Sequence, residues 1–371
     1  MAEPVLPRYE ASALSDILPS VSAHLGLKGF DDVLGLPASD RYVILLVDGL
    51  GRALLEASAD RAPHLFGRLP DAATLTSVVP STTAAALTSL GTGLPPGQHG
   101  VAGYTFRNPF SGGLLNALTW EPGLSGLDIQ PRLTVFEKLA RDGVQVTRVM
   151  PARFGGTGLT EAGLRGGRLS GVTDESDGGR RIDQVVDAAA SGGRSLVYCY
   201  ERALDHTGHG AGWQSAEWGA VLGWVDDLAA GLRAALPDDV RLLITADHGM
   251  VDVAADARIL VEDEPDLLAG VDLLAGEARF RQLYTGEPDA VASRWRDRLG
   301  EGAWVRTRAE AADEDWFGYL VPNLASRFGD VLVAASDPLA ILTRAMPGEL
   351  KLIGMHGSLT PAEMYVPLIV E

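Results

Sequence analysis

The chain has 371 residues, 46% of them hydrophobic and 22% charged, so it holds enough apolar material for a large core and is not a disordered polymer. Forty-nine acidic against 31 basic residues leave a formal charge of −18, which sets the surface against nucleic-acid backbones and anionic membranes. A single cysteine, Cys199, excludes an intramolecular disulfide and any cysteine-rich zinc module; it lies in an apolar run and reads as a buried small hydrophobe.

The first residues, Met1 to Arg8, lack a basic region followed by an apolar stretch, and no apolar run in the chain is long enough to cross a bilayer. A soluble cytoplasmic protein is therefore expected. The first strong element is Tyr42 to Val47, an unbroken apolar run closed by Asp48-Gly49. A helical pattern follows over Thr134 to Asp142, and a second strand run over Val144 to Met150. Leu196 to Tyr200 is the third strand, Ser215 to Leu236 a long helix, and Val240 to Thr245 the fourth strand. Strands apolar on both faces, alternating with helices, predict a mostly parallel α/β sheet flanked by helices on both faces. Residues 252–345 break that rhythm, with an acidic start, a strand over Arg279 to Tyr284, a helix over Ala290 to Leu299 and a strand over Ala303 to Arg308. They predict a small inserted cap on a core formed by residues 1–251 and 346–371, with Lys351 to Val370 returning to the main sheet.

In parallel sheets ligands collect at the carboxyl ends of strands. Asp48 and Asp247 stand just past such ends, and Asp205 follows a few residues after a third. Ala246-Asp247-His248-Gly249 offers a carboxylate beside an imidazole; Asp205-His206-Thr207-Gly208-His209 offers the same pair one helical turn apart; His356 precedes Gly357. Each alone reads equally well as a turn or a cap. Together they make three carboxylates and three imidazoles with no thiolate, a donor set for Zn²⁺, Mn²⁺ or a similar ion and not for an all-oxygen calcium cage. Six ligands suit two ions about 3.5–4 Å apart, the clamp used for in-line displacement at phosphorus. Pro80-Ser81-Thr82-Thr83 enters an Ala-rich helix, where a hydroxyl is either an N-cap or a nucleophile in the positive field of the helix end.

These pieces, in this order, resemble the alkaline phosphatase superfamily, nearest to its nucleotide pyrophosphatase/phosphodiesterase branch. The matching stretches are Val47-Asp48-Gly49, Pro80 to Thr83, Thr92 to Gly100, Asp205 to His209, Ala246 to Met250 and His356-Gly357, spanning most of the chain. The resemblance implies one zinc on Asp205, His209 and His356, and a second on Asp48, Asp247 and His248. It implies Thr83, rather than Thr82, as a nucleophile that also touches the second ion. A phosphothreonine intermediate and overall retention at phosphorus would follow. The implied substrate is a small phosphoric ester, diesters ahead of monoesters, or a phosphonate cut at its C–P bond; a manganese-dependent phosphomutase is a more distant possibility and a non-catalytic binding protein the bland one. Ala84 and Ala86 stand where the family often has an aromatic residue and an asparagine, which weakens the case for nucleotides. Tyr104, Phe106 and Trp120 are candidates for a pocket wall or for core packing. Arg107 and Arg153 are candidates for a terminal phosphate oxygen, and His99 for a structural role.

Overall fold

A computed structural model describes residues 3–336 and 338–371. Met1 and Ala2 of the amino-terminal reading, and Asp337 within the 252–345 stretch, lie outside the described residues. The expected fold is present: a seven-stranded sheet runs, in spatial order, Ala73–Thr76, Tyr365–Val370, Val240–Thr245, Arg41–Val47, Ser195–Glu201, Gln145–Pro151 and Arg168–Val172. All are parallel except Tyr365–Val370, which pairs antiparallel with both neighbours. Tyr42 to Val47 and Ser195 to Glu201 are buried along their whole length, as strands covered on both faces must be. Because these strands run the same way, their carboxyl ends share one edge.

Local chemistry sets the flanking helices. Thr134 caps the helix Val135–Arg141, its hydroxyl accepting from the Glu137 amide at 3.0 Å while the Glu137 carboxylate accepts from the Thr134 amide at 2.9 Å. Ser215 caps Ala216–Ala235 through the Trp218 amide at 3.1 Å. The edge strands Ala73–Thr76 and Arg168–Val172 were not legible in sequence; both are short and only partly buried, so neither carries a continuous apolar run.

Within residues 252–345 a second, antiparallel sheet runs Leu273–Glu277, Phe280–Tyr284, Val331–Ala335, Ala303–Thr307, and the helix Pro288–Leu299 packs against it. It shares a hydrophobic cluster with the larger sheet's loops: Phe280, Trp304 and Trp316 pack with Val79, Ala84 and Phe106. Buried ion pairs tie the two together. Arg279 meets Glu363 with Nε–Oε1 at 2.7 Å and Nη2–Oε2 at 2.8 Å, and Arg281 meets Glu349. Among the described residues no helix is long and apolar enough to cross a membrane.

Candidate active site and metal centre

The central strand Arg41–Val47 ends at Asp48, and the turn that follows needs Gly49: its φ is +76°, and a Cβ there would stand 3.1 Å from Cβ of Asp205. The neighbouring strand Val240–Thr245 delivers Asp247. Asp247 Oδ1 accepts from the amides of Gly49 and His248, both at 3.1 Å, which fixes its rotamer and leaves Oδ2 free. Asp48 Oδ2 accepts from the buried Tyr200 hydroxyl, leaving Oδ1 free. On the other side Glu201 ends its strand with one oxygen paired to buried Arg181 and the other accepting from the Ala203 amide at 2.6 Å. That contact starts the helix Ala203–Ala211, in which one turn sets Asp205 and His209 on the same side, Nε2 to Oδ2 3.3 Å.

Every candidate imidazole points its Nδ1 at a backbone carbonyl: His209 at Gly354 (2.8 Å), His248 at Gly249 (3.0 Å) and His356 at Ser81 (3.0 Å). A carbonyl only accepts, so Nδ1 carries the proton and the Nε2 lone pair is left for another partner. The Nε2 atoms face the carboxylates: His248 lies 3.5 Å from both Asp48 Oδ1 and Asp247 Oδ2, and His356 lies 3.7 Å from Asp205 Oδ1. The rings of His248 and His356 stack with centroids 3.6 Å apart. Of the four His-Gly pairs in the chain, only those ending in Gly100 and Gly357 adopt positive φ.

Thr82 is the extended N-cap and Thr83 the first residue of the helix Thr83–Thr92, which ends on Gly93 in the left-handed conformation. Thr83 Oγ1 stands 3.1 Å from His248 Nε2, on the wall of a cavity of about 600 Å³ shared with Asp48, Asp205, His209 and His356. Thr82 is buried, and its side chain bonds Glu277.

These residues fit divalent cations. Three buried carboxylate oxygens, Asp48 Oδ1, Asp205 Oδ1 and Asp247 Oδ2, have no hydrogen-bond partner. Two groups have donor atoms all within 4.8 Å of one another: Asp48, Asp247 and His248, and Asp205, His248 and His356. His209 stands at the margin of the second group, its ring 5.1 Å from that of His356, and His248 lies between both groups. Burial pushes the Asp48 pKa well above the usual carboxylate range, and the charges of Asp247 and Asp205 push it further. Burial likewise raises Asp247, against the opposing charge of His248, and burial with neighbouring His248 and His209 holds His356 well below its ordinary value. Carboxylates packed this way repel one another, and positive charge between them inverts that balance.

The remaining candidates separate. His99 is buried, accepts from the Val101 amide and bonds Ser89 at 2.8 Å; burial drives its pKa down to about 3, so it braces the loop after the Thr83 helix. Burial pushes the Cys199 thiol up to about 11. Tyr104 and Arg153 line the cavity, whereas Phe106 is in the core and Arg107 lies over the Tyr284 ring at 4.3 Å, outside it. Trp120 packs against Gly158. Sequence reasoning missed Tyr200, hidden inside an apolar run. It also missed Glu277, a buried carboxylate from the second sheet whose Oε2 is 3.7 Å from His356 Nδ1; no local pattern marks it.

The chain is similar in structure to murine ectonucleotide pyrophosphatase/phosphodiesterase 5, with a TM-score of 0.70 and 18% identity over 88% of this chain and 87% of that one. An inactive variant of that murine protein in complex with AMP gives the same values. Phosphonoacetate hydrolase from Sinorhizobium meliloti 1021, in complex with phosphonoformate, matches with a TM-score of 0.66 and 21% identity over 88% of this chain and 89% of that one. No curated protein matches the chain in sequence. The sequence pattern of the type I phosphodiesterase / nucleotide pyrophosphatase family runs through residues 42–359, from the central strand to the loop after His356, and the chain belongs to that family of phosphoester hydrolases.

Proposed function

We propose that the chain hydrolyses small phosphoric esters, diesters ahead of monoesters, with Thr83 as nucleophile. Asp48, Asp247 and His248 would hold one divalent ion and Asp205, His209 and His356 another, zinc or manganese by the chemistry of the donors. Bound there, such ions would supply Lewis-acid stabilisation of the phosphoryl oxygens and favour the ionised hydroxyl of Thr83. The observation that carries the reading is the convergence of three unpartnered carboxylate oxygens and the Nε2-presenting imidazoles beside the Thr83 hydroxyl.

Thr83 starts a helix, so its hydroxyl lies in the positive field of the free amides there. Attack by Oγ1 forms the bond to phosphorus as the bond to the departing alcohol breaks, giving a phosphothreonine. Water then displaces Oγ1 from the opposite side, and two inversions make net retention. The side chains at 84 and 86 are methyl groups, so neither a stacking platform nor a side-chain amide donor comes from the first turn of this helix.

The test is a panel of bis-p-nitrophenyl phosphate, p-nitrophenyl phosphate, a p-nitrophenyl nucleotide and phosphonoacetate, with zinc or manganese. The first is expected to turn over fastest, and Thr83→Ala to lose at least about a thousandfold in kcat/KM. Equal turnover by Thr83→Ala overturns the assignment, loss confined to Thr82→Ala moves it by one residue, and turnover of phosphonoacetate alone replaces ester with C–P cleavage.

A further inference from the structure

Two materials build the cavity beyond Thr83. Much of its exposed surface is apolar, with Leu87, Met150, Leu159, Leu164, Leu352 and Met355 contributing. Such a surface gains from apolar contact, and the hydroxyls of Tyr104, Thr157 and Thr160 add hydrogen-bonding groups to it. One side carries Arg153 and Arg202, the only arginines or lysines among the described lining residues. Both lean on Glu175, with Arg153 Nη2 at 3.2 Å and Arg202 Nε at 3.0 Å. Glu175 stands behind them and is not part of the wall. One carboxylate against two guanidinium groups leaves one positive charge facing the cavity, in a chain whose formal charge is −18. Carboxylates on other parts of the wall do not cancel it: Glu349 is paired with Arg281, and Glu277, Asp48 and Asp205 surround the Thr83 end.

The position of this charge is set by the sheet. Arg202 follows the strand beside Arg41–Val47, and Arg153 follows the strand after that. Two strand spacings separate the Arg153 strand from that of Asp48, about 10 Å. The groups between are in sequence contact: the Tyr200 hydroxyl bonds Asp48, the Tyr200 ring is 6.3 Å from the Phe154 ring, and the Arg153 guanidinium lies over Phe154 at 4.8 Å. A ligand anchored by its phosphoryl group at Thr83 therefore passes the Tyr200 and Phe154 rings before it meets a cation.

We propose that the substrate carries, esterified to its phosphate, an apolar group that ends in a carboxylate held by Arg153 and Arg202. A single surplus charge matches a singly charged carboxylate, and the planar guanidinium fork matches its geometry. This substrate class rests on the phosphoric-ester reading above.

Three diesters with the same p-nitrophenyl leaving group test it on the zinc-loaded full chain: methyl, octyl and ω-carboxyoctyl. The expected order in kcat/KM is ω-carboxyoctyl, octyl, methyl, the first exceeding the second by about tenfold. Arg202→Glu is expected to invert that first ratio and Arg202→Lys to keep part of it. If Arg202→Glu slows all three diesters equally, the cations serve the reacting phosphoryl group and the proposal fails. Calorimetry gives an answer independent of turnover. Wild type is expected to bind octanoate more tightly than octanol, and Arg202→Glu to lose that preference. Octanoate bound equally by wild type and Arg202→Glu, or no tighter than octanol by wild type, overturns the proposal even if esters are hydrolysed. Absence of ester turnover with the octanoate preference intact overturns the hydrolase reading and leaves the binding site standing.

Discussion

The two sheets differ in how they bury charge: the antiparallel sheet completes its arginines, whereas the parallel sheet, which completes Arg181 with Glu201, leaves three carboxylates incomplete at its edge. In the antiparallel sheet, Arg279 and Arg281 are fully buried, and each is matched by a carboxylate and by backbone carbonyls: Glu363 with Leu339 and Ala335 for the first, Glu349 with Ile341 for the second. At the carboxyl edge of the parallel sheet, Asp48, Asp205 and Asp247 each keep one oxygen without a partner. Completed charge holds a structure together, because removing one partner strands the other. Incomplete charge destabilises the chain that carries it and is retained where something else completes it. Glu277 crosses the division: it belongs to the antiparallel sheet, yet its Oε1 is unpartnered and it faces Thr82 and His356.

The largest effect expected from this contrast is on stability. Arg279→Met strands the Glu363 carboxylate in the core and is expected to cost about 3–5 kcal/mol in urea unfolding. A loss below about 1 kcal/mol would show that the pair is not what welds the sheets. Asp48→Asn is expected to act in the other direction and more weakly: without added metal its melting temperature lies above that of wild type, and added zinc stabilises it less than wild type. The sign follows from the raised Asp48 pKa. Below the unfolded value, near about 4, the wild-type carboxyl is neutral in both states. As pH rises the unfolded state ionises first, so metal-free wild type loses stability until the folded group ionises too. The advantage of Asp48→Asn should therefore grow from acid to neutral pH; an advantage independent of pH would assign the effect to packing. The smallest effect is expected from Arg107→Ala. Its guanidinium stacks on Tyr284 outside the cavity, so diester turnover should stay within about twofold while stability falls by roughly 0.5–1 kcal/mol. A tenfold loss of turnover would return Arg107 to the site.

What was legible in sequence follows from the same physics. Central strands such as Tyr42 to Val47 announce themselves because both faces are covered, and Asp48, Asp205 and Asp247 could be placed together because parallel strands end on one edge. Asp205 and His209 were readable as a pair from helical spacing alone. Edge strands and the sheet partners Leu273–Glu277 and Val331–Ala335 were not, since their pairing depends on neighbours distant in sequence. Glu277 was invisible for that reason: a glutamate in an alternating stretch reads as a solvated residue, and only the packing of the two sheets brings it to Thr82. The central position of His248, between both donor groups, likewise comes from ring stacking on His356 and not from spacing.

The three imidazoles hang from main-chain carbonyls, not from acidic side chains. Their orientation is thereby written into the path of the polypeptide at Ser81, Gly249 and Gly354, where no point substitution can delete an oxygen. Neighbouring side chains are free to drift while the rings stay aimed; a loop lengthened or shortened by one residue is what would turn them away.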